Sequence, residues 1–178
     1  MSDPIMDELF SKAPEGLFGD EKAEYDGPYG LGTWPDAKLI EVTTMDRTDE
    51  RFGYRLALKF NLKGDSAPFT GRIDLPVTVE QNGDPDRYEW ALGRETKRRD
   101  VVNRILAGLG CPKTIKGNVD NDNTYNAVGH IFLQLVGSTC PLKVTEDGKN
   151  VKDEATSKWR FEPNGFTRID AVRPRKKK

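Results

Sequence analysis

Residues 51–63 read RFGYRLALKFNLK, and their alternation decides the fold class. Phe52, Tyr54, Leu56, Leu58, Phe60 and Leu62 fall on one parity; Arg51, Arg55, Lys59 and Lys63 fall on the other. A period of two belongs to a strand with one face buried and the other in water. Residues 69–79, FTGRIDLPVTV, repeat the pattern, with Phe69, Ile73, Leu75, Val77 and Val79 opposite Thr70, Arg72, Asp74 and Thr78. The turn-forming run Gly64, Asp65, Ser66, Ala67, Pro68 between them makes an antiparallel hairpin the economical reading. The wet face of its first strand carries cations and no acid, which points to a binding surface.

Outward from the hairpin, residues 34–44 (WPDAKLIEVTT) predict a preceding strand, with Pro35 near its start where a missing N–H is tolerated. Residues 80–87 read as a loop. Residues 86–109 predict the one helix, because Val101, Val102, Ile105, Leu106 and Leu109 recur at helical spacing and Gly108 to Pro112 ends the pattern. Its outer face carries Lys97, Arg98, Arg99 and Arg104, expected to be solvated. Residues 113–126 are polar and turn-rich. The run Asp120, Asn121, Asp122, Asn123 is not a calcium loop, since Tyr125 and Ile131 stand where Gly and Glu are required. Further strands are expected at 130–137, 141–145, 158–161 and 166–172, with a long polar loop over 146–157 and a turn at Pro163, Asn164, Gly165. The fold class expected is mainly β, a small, closed or partly closed antiparallel barrel with one inserted helix.

A chain of 178 residues suits one domain with a real core. Charged residues make up 32% and no apolar run approaches the ~20 residues that span a bilayer. The first residues, MSDPIMDELF, lack the basic and apolar regions of a signal peptide, so a cytoplasmic location is expected and no membrane partner. Cys111 and Cys140 form no C-x-x-C pair and are expected to be reduced; with His130, the single histidine, they make a poor zinc set. No metal and no cofactor are expected.

The net charge of −1 hides an asymmetry. Residues 1–27 carry −6, residues 28–178 carry +5, and the chain ends RPRKKK. Three segments follow: an acidic N-terminal extension over 1–27, a binding domain over 28–172, and a basic tail over 173–178. In the extension Asp3 and Pro4 are a good helix start, and Ile5, Met6, Leu9 and Phe10 would share a face. That short helix either packs on the domain or docks on a partner, with Leu9, Phe10, Leu17 and Phe18 as its contact residues. The glycine-rich run at residues 27–32 is a hinge rather than a phosphate loop, for no Gly-Lys-Ser/Thr follows.

No G-x-S-x-G, H-E-x-x-H or nucleotide fingerprint is present, so no catalytic residue is assigned. What the chain offers is cations interleaved with aromatics. Trp34, Arg51, Tyr54, Arg55, Lys59, Lys63, Arg72, Lys158, Trp159 and Arg160 are the candidates for contact with a nucleic acid. A single strand needs that mixture: cations follow its phosphates and exposed rings stack on its bases.

Several phrases carry a family likeness: GTWPDAKLIEV, the alternating hairpin, the helix ending LAGLG, HIFLQLVGSTCPLKVT, and the closing WRF…VRP. Over residues 28–174 the order of elements resembles phage-encoded single-stranded DNA-binding proteins of the OB-fold type. The resemblance implies an OB-like five-stranded Greek-key barrel, single-stranded DNA as partner in replication or recombination, no turnover and no metal. It also implies that an acidic segment recruits replication or recombination proteins. Such proteins often carry that segment at the C-terminus, whereas here the acidic segment is N-terminal. The competing expectation is a protein–protein adaptor or a structural subunit of a virion or replication complex, in which the tails do the binding. An enzyme would need a clustered acid set and divalent-metal dependence.

Overall fold

The computed structural model describes residues 4–17, 30–44, 53–63 and 68–172. Along the chain come α1 (Pro4–Lys12), β1 (Gly32–Thr44), β2 (Arg55–Asn61), β3 (Pro68–Asp74), α2 (Pro85–Gly108), α3 (Asp122–Gln134), β4 (Thr139–Lys152) and β5 (Trp159–Ala171). The strands form one antiparallel sheet in the order β3-β2-β1-β4-β5.

The hairpin forms as its alternation requires. Leu56, Leu58 and Phe60 are buried on β2, and Phe69 and Ile73 on β3, with Phe60 opposite Phe69 and Leu56 opposite Ile73. β1 serves two neighbours. Its first half pairs with β4 and its second half with β2, and the ladder to β4 shifts between Trp34 and Ala37, where Pro35 has no N–H to give. The strand therefore bends and the sheet curls around a core that includes Leu39, Leu58, Phe60, Leu142 and Val144.

No hydrogen-bonded ladder joins β3 to β5 among the described residues, so the sheet is open. The two strands nevertheless approach one another. A Cβ on Gly71 of β3 would lie 2.6 Å from Ile169 Cγ2 of β5, so any larger residue there would force the Ile169 side chain to move. The approach at this point is by packing, without backbone pairing.

α2 starts as the sequence predicts. Asp84 caps it by accepting from the Asp86 N–H at 3.0 Å, and Pro85 takes a first-turn position where its missing N–H costs nothing. It stops on a Schellman turn: Gly110, at φ 87°, donates to Ala107 O and Cys111 to Leu106 O. Val102, Ile105 and Leu106 are buried. So is Glu95, whose carboxylate accepts from Val77 N at 3.1 Å and from Arg94 and Arg98 at 3.0 Å each. A buried carboxylate needs partners of this kind, and these pin the stretch after β3 to the helix.

Three expectations are corrected. Residues 130–137 are not a strand, because 122–134 are helix α3, a second helix between β3 and β4. Asn121 caps it by accepting from Thr124 N at 2.8 Å, and Tyr125, Val128, Gly129 and Phe132 are buried at steps of three and four. The Asp- and Asn-rich run is thus a helix start. The polar stretch after Glu146 is not a loop either, since β4 continues to Lys152 and the reversal falls at 153–158. Pro163 to Gly165 make no chain reversal. They sit inside β5, opposite a register shift between Glu146 and Gly148, with Gly165 at φ 83° and the Asn164 side chain accepting from Phe166 N.

Cys111 and Cys140 are free thiols. Burial, with a smaller contribution from Asp170, pushes Cys140 up to about 11, so it packs as a small apolar residue against Gly108. Among the described residues no helix is long and apolar enough to cross a membrane.

Candidate nucleic-acid interface

The candidate residues fall on two regions of the sheet. The first is the outer face of β2 and β3, a wall onto which the alternation turns Arg55, Lys59 and Arg72. Adjacent strands place acids on the same face. Arg55 Nε donates to Asp74 Oδ1 at 2.6 Å across the β2–β3 ladder, and Arg98 of α2 lies 3.8 Å from the same carboxylate. The hydrogen bond to Asp74 outweighs the cost of partial burial and raises the Arg55 pKa. Lys59 stands 3.8 Å from Glu41, its ladder neighbour on β1. Arg72 and Lys63 are exposed and make no ion pair with another described residue. A strand without acids thus lies between two strands that supply them.

One aromatic candidate, Tyr54, is corrected here, and another, Trp34, is partly withdrawn from solvent. Tyr54 is only 4% exposed, its ring 4.9 Å from that of Tyr125 and its hydroxyl donating to Asp122 Oδ1 at 2.9 Å. It belongs to the contact between α3 and the start of β2. Trp34 is half-buried against the core, and its indole N–H donates to Gly30 O at 2.7 Å. The Tyr54 ring offers no free stacking face. Arg51 and Phe18 lie outside the described residues, as does the basic tail at 173–178.

The second region is the far half of the β4–β5 hairpin. β1 pairs with β4 only as far as Val144, so beyond that point the two strands form a ribbon with no third strand beside them among the described residues. Lys152 faces Trp159, Val151 faces Arg160 and Asn150 faces Phe161. Trp159 is 67% exposed and Phe161 49% exposed on the same parity. Arg160 and Lys149 lie on the opposite parity, and Lys152 and Lys158 flank the turn. The sequence candidates Lys158, Trp159 and Arg160 thus sit together at the tip of an arm. Phe161, Lys149 and Lys152 join them; the lysines lie in the stretch read from sequence as a loop.

The arm is fixed at its root. Asp147 accepts from its neighbour Gly148 N at 2.9 Å, from Asn164 at 3.1 Å, and from Arg168. Partial burial pushes the Asp147 carboxyl up, but these hydrogen bonds and the charge of Arg168 outweigh it and hold the group below its ordinary value. Gly148 leaves room for the crossing. A Cβ there would lie 2.2 Å from Glu162 O and 2.8 Å from the Phe161 ring.

Among the described residues no three His, Cys, Asp or Glu side chains are gathered to hold a metal ion. No family model matches the chain, and neither the curated proteins nor the solved structures contain a match.

α1 differs in character from both regions. Ile5 is 68% exposed, and Leu9, Phe10 and Leu17 are also exposed. Lys12 reaches back one turn to Glu8 at 2.8 Å. The partner-contact candidates Leu9, Phe10 and Leu17 are thus presented to solvent.

Proposed function

We propose that this protein binds single-stranded DNA without chemical turnover, through the exposed aromatics and the interspersed lysines and arginine of the β4–β5 arm together with the adjoining sheet. The observation that carries the reading is the exposure of Trp159 and Phe161 on a ribbon that also bears Lys149, Lys152, Lys158 and Arg160. Large aromatics left in water beside cations suit a ligand that is both planar and anionic. Stacking of a base on a ring is worth about 1–3 kcal/mol and tolerates any sequence, since every base has a π-face.

The strand order supports the same reading. β3-β2-β1-β4-β5, with β3 and β5 meeting at Gly71 and Ile169, is the order of a five-stranded OB-like Greek-key barrel opened at one seam. In that fold strands 2 and 3 and the connections between strands 1–2 and 4–5 hold the ligand. The arm is the 4–5 connection. A part in DNA replication or recombination, and with it a cytoplasmic place, is what the resemblance of residues 28–174 implies.

The test is fluorescence anisotropy with a labelled oligo-dT of about 30 nucleotides, several sites long at the usual 4–16 nucleotides per OB fold. The titration is repeated at low and moderate salt with duplex as control. The expected result is tight, salt-sensitive binding with a strong preference for the single strand. No affinity at low salt, with or without residues 1–27, would sink the proposal.

A second reading has its own observation. The exposed apolar side chains of α1 suit a protein partner, as in an adaptor or a structural subunit. It predicts complex formation that is lost on deleting residues 1–17 and no affinity for oligonucleotides.

A further inference from the structure

One face of α2 is unlike the rest of the helix. Trp90, Arg94, Lys97, Val101 and Arg104 recur at alternating steps of four and three, which aligns them along a single stripe. From Trp90 to Arg104 the stripe runs about 21 Å at the rise of an α-helix. At its upper end Trp90 is 66% exposed, and the Arg94 guanidinium lies 5.1 Å from the ring centroid. At its lower end Lys97, Val101 and Arg104 form one side of a cleft of about 420 Å3, and Lys143, Thr145 and Arg168 of β4 and β5 form the other.

The charges in the cleft are not equivalent. Arg104 holds Asp170 through two parallel hydrogen bonds of 2.9 and 2.8 Å, so that acid is neutralised and that guanidinium is fixed. Arg168 is tied to Asp147 at the root of the arm. Lys97 and Lys143 are exposed and make no ion pair with another described residue, and the carboxylate left to oppose them is Asp100. The cleft is therefore net positive, open and built from both a helix and a sheet. Arg168 also lines the depression beside the arm formed with Lys149, Asn164, Asp147 and Glu162, so the two hollows adjoin.

We infer that the α2 stripe and the facing wall of β4–β5 are a second contact surface for single-stranded nucleic acid, with Lys97 and Lys143 on its phosphodiesters and Trp90 under a base. The inference rests on the function proposed above and extends it. The bound strand passes from the arm, past Arg168, into the cleft and out along α2. Two stacking platforms, at Trp159 and Trp90, then bracket a phosphate path.

The test uses the full chain and labelled oligo-dT across a salt series. The double variant Lys97→Gln with Lys143→Gln removes two phosphate contacts and lowers the magnitude of the salt slope by about 1.4, at roughly 0.7 per contact on a single strand. The pair Lys113→Gln with Lys116→Gln makes the same change in net charge outside the cleft and leaves the slope as in the unmodified protein. Trp90→Ala weakens binding at least about fivefold, the lower end for one stacked base. Unmodified binding by Trp90→Ala, or a slope unchanged in the cleft pair or reduced equally in the control pair, would overturn the inference; sensitivity to Trp159→Ala would then leave the arm reading intact. Failure of the unmodified protein to bind would overturn both. All these positions are exposed, and thermal melts verify that each variant folds.

Discussion

The β2–β3 wall and the β4–β5 arm both carry cations on an antiparallel pair, yet they present different surfaces. On the wall, Arg55 meets Asp74 across the ladder and Lys59 meets Glu41 on the other side. On the arm, Lys149 faces Glu162 across the ladder but no third strand lies beside the pair among the described residues, and the parity that is buried in the wall is in water, carrying Trp159 and Phe161. A strand's charge is thus set by its neighbours as much as by its own residues. A central strand meets acids from both flanks, whereas on a two-stranded ribbon the one flank available sets which cations are answered, Lys149 by Glu162 and Arg160 by none, since it faces Val151.

The largest expected effect tests the arm. Replacing Trp159 and Phe161 together by alanine removes two stacking platforms worth about 1–3 kcal/mol each. The dissociation constant for oligo-dT should rise at least about 30-fold, and thermal stability should stay close to that of the parent, since neither ring is in the core. Gly71→Val should do the reverse. It pushes a side chain into Ile169 and should destabilise the fold by about 1–3 kcal/mol in denaturant titrations, with the arm's ring environment unchanged by near-ultraviolet spectra.

A smaller effect separates the two sets of cations. Lys158→Gln with Arg160→Gln should lower the magnitude of the salt slope by about 1.4, whereas Arg55→Gln with Lys59→Gln should lower it by much less, because their charges are already answered by Asp74 and Glu41. Equal losses would erase the distinction between wall and arm. The smallest effect concerns pH. The Asp147 carboxyl is held below its ordinary value in the fold, so its clasp on the arm is fully present above the unfolded value of about 4 and is lost as pH falls through the lower folded value. The Gly148 amide resonance should report that loss at acid pH while core resonances stay in place.

The hairpin and α2 were legible because burial writes strong periods: Leu56, Leu58 and Phe60 at a step of two, Val102, Ile105 and Leu106 at steps of three and one. α3 was not, since the adjacent apolar residues Ile131, Phe132 and Leu133 suit a short strand as well as a helix, and only the Asn121 cap and the spacing of Tyr125, Val128 and Phe132 decide. The outer half of β4 escaped because a ribbon wet on both faces has no apolar contrast to display. For the candidate site, Lys158, Trp159 and Arg160 were readable as a local cluster. The neutralisation of Arg55 by Asp74 and the burial of Tyr54 by Tyr125 were not, because each joins residues far apart in the chain.

The seam at Gly71 and Ile169 has a dynamic consequence. Where strands are joined by a ladder, parting them breaks a row of hydrogen bonds at once. Here β3 and β5 can part without breaking a ladder, with each strand still bound to its partner on the other side. The edge where β3 meets β5 is thus the sheet's line of least resistance, and amide exchange should begin along it and spread inward.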